Sequence, residues 1–331
     1  MKILIDRAIP FLRGVLEPWA ETLYLPGDAI GPEDARDADA LIIRTRTRCD
    51  ERLLGGSRVR FIATATIGFD HIDTAWCAAH DIEVSTAVGC NARGVLQWVA
   101  AVLVRLSHRQ GWRPADMTLG VIGVGHVGSL VAAYAAAWGF RVLCCDPPRE
   151  AREHLGFLPL NEVARQADLL TFHTPLAPST RHLVDARFLD ALPPATQIIN
   201  SSRGEVVDTA ALLASGHPCV LDVWEHEPQI DRRLLDRALL ATPHIAGYSE
   251  QGKANAAALS VAAVARRFGW PLAGWYPPEV RPSVPRPISW QELCDTIDAH
   301  FDIEAQSRQL KAHPEAFEAM RNDYPYRPEY F

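Results

Sequence analysis

Leu119-Gly-Val-Ile-Gly-Val-Gly-His-Val-Gly128 combines an apolar strand, a glycine-rich turn and the start of a helix. Asp146 ends the next apolar strand. This order is typical of a dinucleotide-binding βα unit. Asp146 can accept hydrogen bonds from ribose hydroxyls and would repel the extra phosphate of NADP, so the expected cofactor is NAD. The alternative interpretation is a glycine-rich turn without a ligand, in which Asp146 is only a turn residue.

The glycines of this turn have separate expected tasks. Gly123 permits the tight turn, Gly125 lets the backbone approach a pyrophosphate, and Gly128 lets the helix pack closely on the sheet. At the start of the helix, His126 and Val127 offer free N–H groups and the positive end of the helix dipole. The sequence therefore predicts that all five positions bind the cofactor.

Short apolar runs alternate with helical patterns along most of the chain, which predicts parallel sheets flanked by helices. The predicted strands are Lys2–Ile5, Ala40–Ile43, Phe61–Ala65, Ile82–Ser85, Leu119–Ile122, Val142–Cys145, Leu169–Phe172, Gln197–Asn200 and Cys219–Val223. The predicted helices are Leu12–Trp19, Pro32–Asp37, Arg93–His108, Val127–Trp138, Leu160–Gln166, Ala186–Leu192, Thr209–Ala214, Arg232–Ala238 and Glu250–Arg267.

The length of 331 residues indicates two α/β domains. We expect a substrate domain over residues 1–92, to which residues 250–268 return, and an NAD-binding domain over 93–249. Residues 269–331 are expected to form a linker and a short helical tail. Because the tail carries many large apolar groups, we expect it to pack on its own body or on a second subunit, as a homodimer.

Composition excludes several classes of function. Apolar residues make up 48% of the chain and charged residues 22%, which is typical of a soluble globular protein. The net charge is −7 and the 33 basic residues form no block, so no nucleic-acid partner is expected. No apolar stretch reaches the length of a membrane span. The seven cysteines form no C-x-x-C pair, which favours reduced thiols in the cytoplasm and no metal site.

Three charged or titratable residues follow in order: Arg203 after one predicted strand, Glu227 after the next, and His244 in Thr242-Pro-His-Ile-Ala-Gly-Tyr248. Oxidising an alcohol by hydride transfer requires a base for the hydroxyl proton, and histidine suits that task near neutral pH. A carboxylate can orient the imidazole, and a guanidinium can bind a substrate carboxylate in two places. Taken singly, the three residues also fit a surface ion pair, a helix-start acid and a polar loop residue.

The whole pattern resembles the D-isomer-specific 2-hydroxyacid dehydrogenases. The motifs that carry the resemblance are Gly123–Gly128, His173–Leu176, Asn200–Gly204 and Thr242–His244. More specific strings, Thr64–His71, Gly89–Gly94, Cys145–Arg149, Leu221–Pro228 and His244–Ser249, resemble a branch that oxidises a phosphorylated four-carbon hydroxy acid in bacterial pyridoxal phosphate synthesis. The resemblance implies an NAD-binding Rossmann-like domain inserted in a flavodoxin-like substrate domain, which closes over the ligands.

The resemblance also implies roles for individual residues. Arg203, Glu227 and His244 are the implied catalytic residues, with His244 as acid and base. The implied cofactor contacts are Asp146, Thr174, Ser201, Ser202, Arg203, Asp222 and Gly247, and the implied substrate contacts are Thr45, Thr66 and Tyr248. The alternatives are another 2-hydroxyacid dehydrogenase, acting on glycerate or lactate, and a non-catalytic NAD-sensing scaffold.

One segment departs from the family pattern of Arg-Ser-x-Thr, because this chain has Arg44-Thr-Arg-Thr47 followed by Arg48. An extended segment would place the three arginines on one face and the two threonines on the other. Arg44 and Arg46 are then candidate phosphate ligands, or the arginines form only a solvated face.

Overall fold

The computed structural model describes all 331 residues, which form two compact units. The first unit comprises Met1–Asn91 and Ser249–Pro282, and the second comprises Ala92–Tyr248 and Ser283–Phe331. Each unit contains one sheet, and every strand pairing in both sheets is parallel. The predicted fold class is therefore confirmed.

The elements follow the predicted alternation of strands and helices. The strands are β1 (Lys2–Asp6), β2 (Glu21–Leu25), β3 (Ala40–Ile43), β4 (Phe61–Thr64), β5 (Glu83–Thr86), β6 (Thr118–Ile122), β7 (Arg141–Cys145), β8 (Leu169–Phe172), β9 (Gln197–Asn200), β10 (Cys219–Leu221) and β11 (Leu240–Ala241). The helices are α1 (Pro32–Ala35), α2 (Glu51–Leu54), α3 (Thr74–Ala79), α4 (Ala92–Gln110), α5 (His126–Trp138), α6 (Pro147–Glu153), α7 (Leu160–Gln166), α8 (Ala186–Asp190), α9 (Thr209–Ser215), α10 (Arg232–Arg237), α11 (Glu250–Phe268), α12 (Trp290–His300), α13 (Ile303–Ala312) and α14 (Phe317–Asn322). No helix is both long enough and apolar enough to cross a membrane.

In the first unit, the strand order is β2-β1-β3-β4-β5. The central strands are buried on both faces, as in β1, where Ile3, Leu4 and Ile5 are fully buried. This double burial explains why they read as continuous apolar runs. Helix α11 covers one face, where Val261 and Val264 join the same apolar cluster as β1.

Besides the short helices α2 and α3, which were not predicted, two further features of this unit differ from the prediction. The helix expected over Leu12–Trp19 is wrong, because the chain forms successive turns there. Phe11 and Gly14 both have positive φ, of 70° and 84°, which a right-handed helix cannot contain. Strand β2 was not predicted, since it is an edge strand with only half-buried side chains and no apolar run.

In the second unit, the strand order is β11-β10-β9-β8-β6-β7. Strands that follow β6 in sequence lie on both of its sides, β7 on one and β8 on the other, so the direction of winding reverses between β6 and β8. Ligands of open α/β sheets bind outside the carboxyl ends of the strands at such a point. The turns after β6 and β8 therefore lie where a cofactor is expected.

The C-terminal tail packs into the second unit. Ile297, Ile303 and Leu310 are fully buried, and Phe317 and Phe331 are each only 1% exposed. The indole Nε1 of Trp138 in α5 also donates to the carbonyl oxygen of Ile288, at 3.0 Å. Most of the large apolar groups that suggested a second subunit are thus covered within the chain.

This packing predicts a stability effect for Phe317. Phe317→Ala should lower the free energy of unfolding by about 3–5 kcal/mol, because it removes a buried aromatic ring and leaves a cavity. Urea unfolding followed by circular dichroism measures the change. Val284→Ala is the control, since Val284 lies in the same segment and is 79% exposed. An equally small decrease in the free energy of unfolding of both variants would contradict the packing of Phe317.

Candidate active site

The glycine turn after β6 leaves space where a ligand is expected. A Cβ on Gly128 would lie 1.9 Å from the carbonyl oxygen of Gly123, and a Cβ on Gly123 would lie 2.7 Å from that of His173. Gly123 also has a φ of 86°. In contrast, a Cβ on Gly125 would meet no atom within 4 Å. Packing of the chain itself thus requires the first and third glycines, whereas Gly125 borders open space at the N-terminus of α5.

Asp146 joins the glycine turn to the start of α6. Its Oδ2 accepts from the backbone N–H of Val124 at 2.8 Å, and its Oδ1 accepts from that of Arg149 at 3.0 Å. Each oxygen has a further lone pair that a ribose hydroxyl could use. The guanidinium of Arg149 donates to the carbonyl oxygen of Val124 and forms an ion pair with Glu153.

Buried hydroxyl groups without a partner follow β8 and β9. The Oγ1 of Thr174 and the Oγ of Ser201 are buried and make no hydrogen bond within the chain. Buried polar atoms without a hydrogen-bond partner are rare in folded proteins, so these two hydroxyls indicate a partner outside the chain. By contrast, Ser202 donates from both its backbone N–H and its hydroxyl to the Oδ1 of Asn200. The open glycine turn and the two unpartnered hydroxyls fit a bound dinucleotide.

The loop that carries His244 is held by Asp222, at the end of β10. The buried Asp222 carboxylate accepts from the hydroxyl of Thr242 at 2.5 Å and from the backbone N–H groups of Ile245 and Ala246 at 2.8 and 2.9 Å. Its carbonyl oxygen accepts from the N–H of His244 at 2.7 Å. Burial raises the pKa of Asp222, while the nearby His244 charge and these donors act to lower it. Asp222, for which sequence analysis expected only a cofactor contact, therefore also has a structural role that sequence analysis missed.

His244 and Glu227 form a hydrogen-bonded pair. The Nδ1 of His244 lies 2.7 Å from the Oε2 of Glu227, whose Oε1 accepts from the N–H of Trp224 at 2.9 Å. The pairing through Nδ1 leaves the other ring nitrogen, Nε2, for a substrate. Burial acts to raise the pKa of Glu227, but the charge and hydrogen bond of His244, the charge of Arg321 and the Trp224 N–H together lower it. The pair can therefore accept a proton at Nε2 and stabilise the resulting imidazolium.

Arg203 follows β9 in a tightly packed turn. The side-chain amide of Asn200 donates to the carbonyl oxygen of Arg203 at 2.8 Å. A Cβ on the next residue, Gly204, would lie 2.0 Å from the carbonyl carbon of Trp224, so the turn lies directly against the segment that leads to Glu227. Arg203, Glu227 and His244 thus follow the carboxyl ends of neighbouring strands, β9, β10 and β11.

Two arginines of the tail contact residues of the loop that carries His244. Sequence analysis assigned neither of them to the site. The Nε of Arg321 donates to the Tyr248 hydroxyl at 3.2 Å, and its Nη1 lies 3.6 Å from the Oε2 of Glu227. Arg327 donates to the carbonyl oxygens of Ile245 and Tyr248 at 3.1 Å. Gly247 lies half-buried within the same loop. The only sequence signal was the Arg321–Arg327 stretch itself, which carries no local pattern of a site.

In the first unit, residues 44–48 form a turn, so the prediction of an extended segment there is wrong. The N–H of Thr47 donates to the carbonyl oxygen of Arg44 at 3.2 Å. The guanidinium of Arg44 is bound to the fully buried Asp6 at 3.0 Å, and Arg48 pairs with Asp50 at 2.9 Å. The arginines therefore do not form one uniform face.

The two threonines of this turn differ, and a third lies at a neighbouring strand end. Thr47 is buried and donates to the carbonyl oxygen of Gly27 at 2.8 Å, whereas Thr45 is exposed, as is Arg46. At the carboxyl end of β4, the hydroxyl of Thr64, its last residue, lies 2.6 Å from that of Thr66. Because β3 and β4 are neighbours, Thr45 and Thr66 follow adjacent carboxyl ends of the first sheet.

Comparison with known proteins identifies related sequences. The family described as D-isomer specific 2-hydroxyacid dehydrogenase, NAD binding domain, matches residues 92–246. An erythronate-4-phosphate dehydrogenase of Bacteroides fragilis is 46% identical over 343 residues, which cover 99% of this chain and 97% of that protein. Its counterpart in Serratia proteamaculans is 40% identical over 349 residues, covering 100% and 94%.

Solved structures with the same architecture are also found. The D-lactate dehydrogenase of Aquifex aeolicus, in complex with NAD and lactic acid, is 25% identical with a TM-score of 0.67 and covers 86% of this chain and 100% of its own. The TT0316 protein of Thermus thermophilus is 26% identical with a TM-score of 0.65, covering 82% and 98%.

The glycine turn predicts different outcomes for two alanine substitutions. Gly125→Ala should leave the melting temperature near that of the wild type but weaken NAD binding by at least about tenfold, because the new methyl group occupies only the space of the ligand. Gly128→Ala should lower the melting temperature itself, because its Cβ overlaps the Gly123 carbonyl. Differential scanning fluorimetry and a fluorescence titration with NAD measure both effects. Unchanged NAD affinity in Gly125→Ala would contradict this assignment.

Proposed function

Because this chain belongs to the D-isomer specific 2-hydroxyacid dehydrogenase family, we propose that it oxidises 4-phospho-D-erythronate to 3-hydroxy-2-oxo-4-phosphobutanoate in pyridoxal phosphate synthesis. The chain is an NAD-dependent oxidoreductase, as its relatives and fold establish. The observation that carries the proposal is the 2.7 Å hydrogen bond between His244 and Glu227 at the carboxyl edge of the second sheet. The substrate is proposed by analogy with the erythronate-4-phosphate dehydrogenases, which match nearly the whole chain.

In this proposal, each catalytic residue has one task. The Nε2 of His244 accepts the C2 hydroxyl proton, and Glu227 fixes the imidazole orientation and stabilises its charged form. Arg203 binds the C1 carboxylate through its guanidinium. Bound NAD supplies the acceptor for the C2 hydride. The cofactor would be held by the glycine turn, Asp146, Thr174, Ser201, Ser202, Asp222 and Gly247.

The substrate phosphate requires further donors. We propose Thr45, Thr66 and Arg46, together with Arg44 and Tyr248. The guanidinium of Arg44 forms an ion pair with the buried Asp6, and Arg46 is exposed one residue beyond Thr45. Charge-assisted hydrogen bonds to a phosphate contribute roughly 1.5–3 kcal/mol each.

Two further proposals concern the cellular location of the protein and its oligomeric state. A cytoplasmic location is supported by the seven free cysteines, five of which are buried. A homodimer is supported by exposed apolar groups of the C-terminal segment, such as Val284. Light scattering at micromolar concentration tests the homodimer, and a monomer would exclude it.

The acid–base assignment predicts the kinetics of two variants. His244→Ala should lower kcat by about 10² to 10⁴ while NAD binding is retained. Glu227→Gln should shift the acidic limb of the pH–rate profile to lower pH, because the imidazolium loses its counter-charge. His182→Ala is the matched control, since His182 forms the second histidine–glutamate pair of this unit, 2.7 Å from Glu225. Near-normal turnover in His244→Ala would refute the mechanism.

The phosphate proposal predicts substrate discrimination. Erythronate without its phosphate should be oxidised with a kcat/KM at least about 10² lower than 4-phosphoerythronate, since several charge-assisted bonds are lost. Arg44→Ala and Arg46→Ala should reduce this ratio, whereas Arg48→Ala is the control outside the proposed phosphate donors, with its guanidinium bound to Asp50. Equal rates with D-glycerate, D-lactate or unphosphorylated erythronate would assign another 2-hydroxy acid. No NADH formation with any acid of the panel would favour a non-catalytic NAD-binding protein.

A further inference from the structure

Arg321 lies beside the His244–Glu227 pair. Its Nη1 is 3.6 Å from the Oε2 of Glu227, the same oxygen that contacts the Nδ1 of His244. Its Nε donates to the Tyr248 hydroxyl. The side chain is only 20% exposed, so solvent screens its charge weakly. One carboxylate oxygen is therefore shared by an imidazole and a guanidinium.

A second arginine of the tail, Arg327, binds the loop that carries His244. The Arg327 guanidinium is buried and donates to carbonyl oxygens of Ile245, Ala246 and Tyr248 in the His244 loop. It also lies 4.3 Å from the ring centroid of Phe301, in a cation–π contact. Because a buried charge without such partners is costly, these bonds hold the tail against the loop. Arg321 thus belongs to a tail that is hydrogen-bonded to the His244 loop.

We propose that Arg321 is a positioning residue, which acts through Glu227 and Tyr248 to keep His244 in its neutral, proton-accepting form. The proposal rests on the function proposed above. Glu227 stabilises a protonated His244, and the guanidinium on the same oxygen weakens that stabilisation. At the same time, the bond to the Tyr248 hydroxyl fixes a residue that we assign to substrate binding.

Other charged groups around the pair do not replace this effect. Asp222 lies behind the His244 loop and binds its N–H groups, and its negative charge favours the imidazolium. Arg327 faces the loop carbonyls, and Glu225 is bound to His182 and to the N–H of Thr209. The guanidinium of Arg321 is a positive charge 3.6 Å from the Glu227 carboxylate. Burial acts to raise the pKa of Glu227, but His244 and then Arg321 lower it, which agrees with this arrangement.

The test compares a neutral and a charged replacement in the full-length enzyme with NAD and 4-phosphoerythronate. In Arg321→Gln, the acidic limb of the pH profile of kcat/KM should move to higher pH by about half to one unit. Without the guanidinium beside it, the Glu227 carboxylate stabilises the imidazolium of His244 more strongly. Arg321→Lys should restore the limb towards the wild type, because it keeps the charge. Arg308→Gln is the matched control, since Arg308 is a tail arginine, 69% exposed, that faces Glu304 at 3.7 Å.

A double-mutant cycle separates this role from a purely structural one. If Arg321 acts through Glu227, the shift caused by Arg321→Gln should vanish in a Glu227→Gln background. A limb that does not move in Arg321→Gln, or that moves equally in the Glu227→Gln background, overturns the proposal. Should Arg321→Gln unfold below the assay temperature, Arg321→Lys decides: a limb at the wild-type position supports the proposal, and a shifted limb refutes it.

Failure of this proposal is distinguishable from failure of the proposed function. If His244→Ala abolishes turnover while Arg321→Gln leaves the acidic limb unchanged, only the role of Arg321 is lost. If His244→Ala keeps its turnover, both the acid–base assignment and the proposal for Arg321 are refuted.

Discussion

The buried carboxylate of Asp222 is the constraint on which the rest of the site depends. It binds the Thr242 hydroxyl and two successive backbone N–H groups, while the carbonyl oxygen of the same residue accepts the N–H of His244. These bonds hold His244 at a φ of 58°, in the left-handed region that non-glycine residues seldom adopt. In that conformation the imidazole meets Glu227. The geometry of the His244–Glu227 pair thus depends on a residue that directly follows β10.

The same loop is bound from its other side by Arg327. Asp222 binds the N–H groups of residues 245 and 246, and Arg327 binds the carbonyl oxygens of the same two residues. The peptide groups of the loop therefore connect a buried anion with a buried cation, and each charge is stabilised by dipoles that point towards it. This makes the tail part of the support of the active site, although the family match ends at residue 246.

Local patterns allowed prediction of the parallel sheets and the residues at strand ends. Carboxyl ends of parallel strands meet at one edge, so the positions of Arg203, Glu227 and His244 after successive strands predicted their clustering. Arg321 could not be predicted in this way, because it contacts Glu227 from a distant part of the sequence and belongs to a helix without a site motif. In the turn at residues 44–48, Arg44 pairs with Asp6, which is buried and distant in sequence. The helix expected before β2 does not form because residues there have positive φ values, which the apolar pattern does not indicate.

The most direct test of the account follows the hydride itself. The enzyme is incubated with NAD and 4-phospho-D-erythronate deuterated at C2, and the mass of the NADH formed is measured. The account predicts that the deuterium is recovered in the reduced nicotinamide ring, together with a primary isotope effect if hydride transfer limits the rate. NADH formed without deuterium, or no NADH with this substrate, would contradict the proposal that the chain oxidises C2 of this acid.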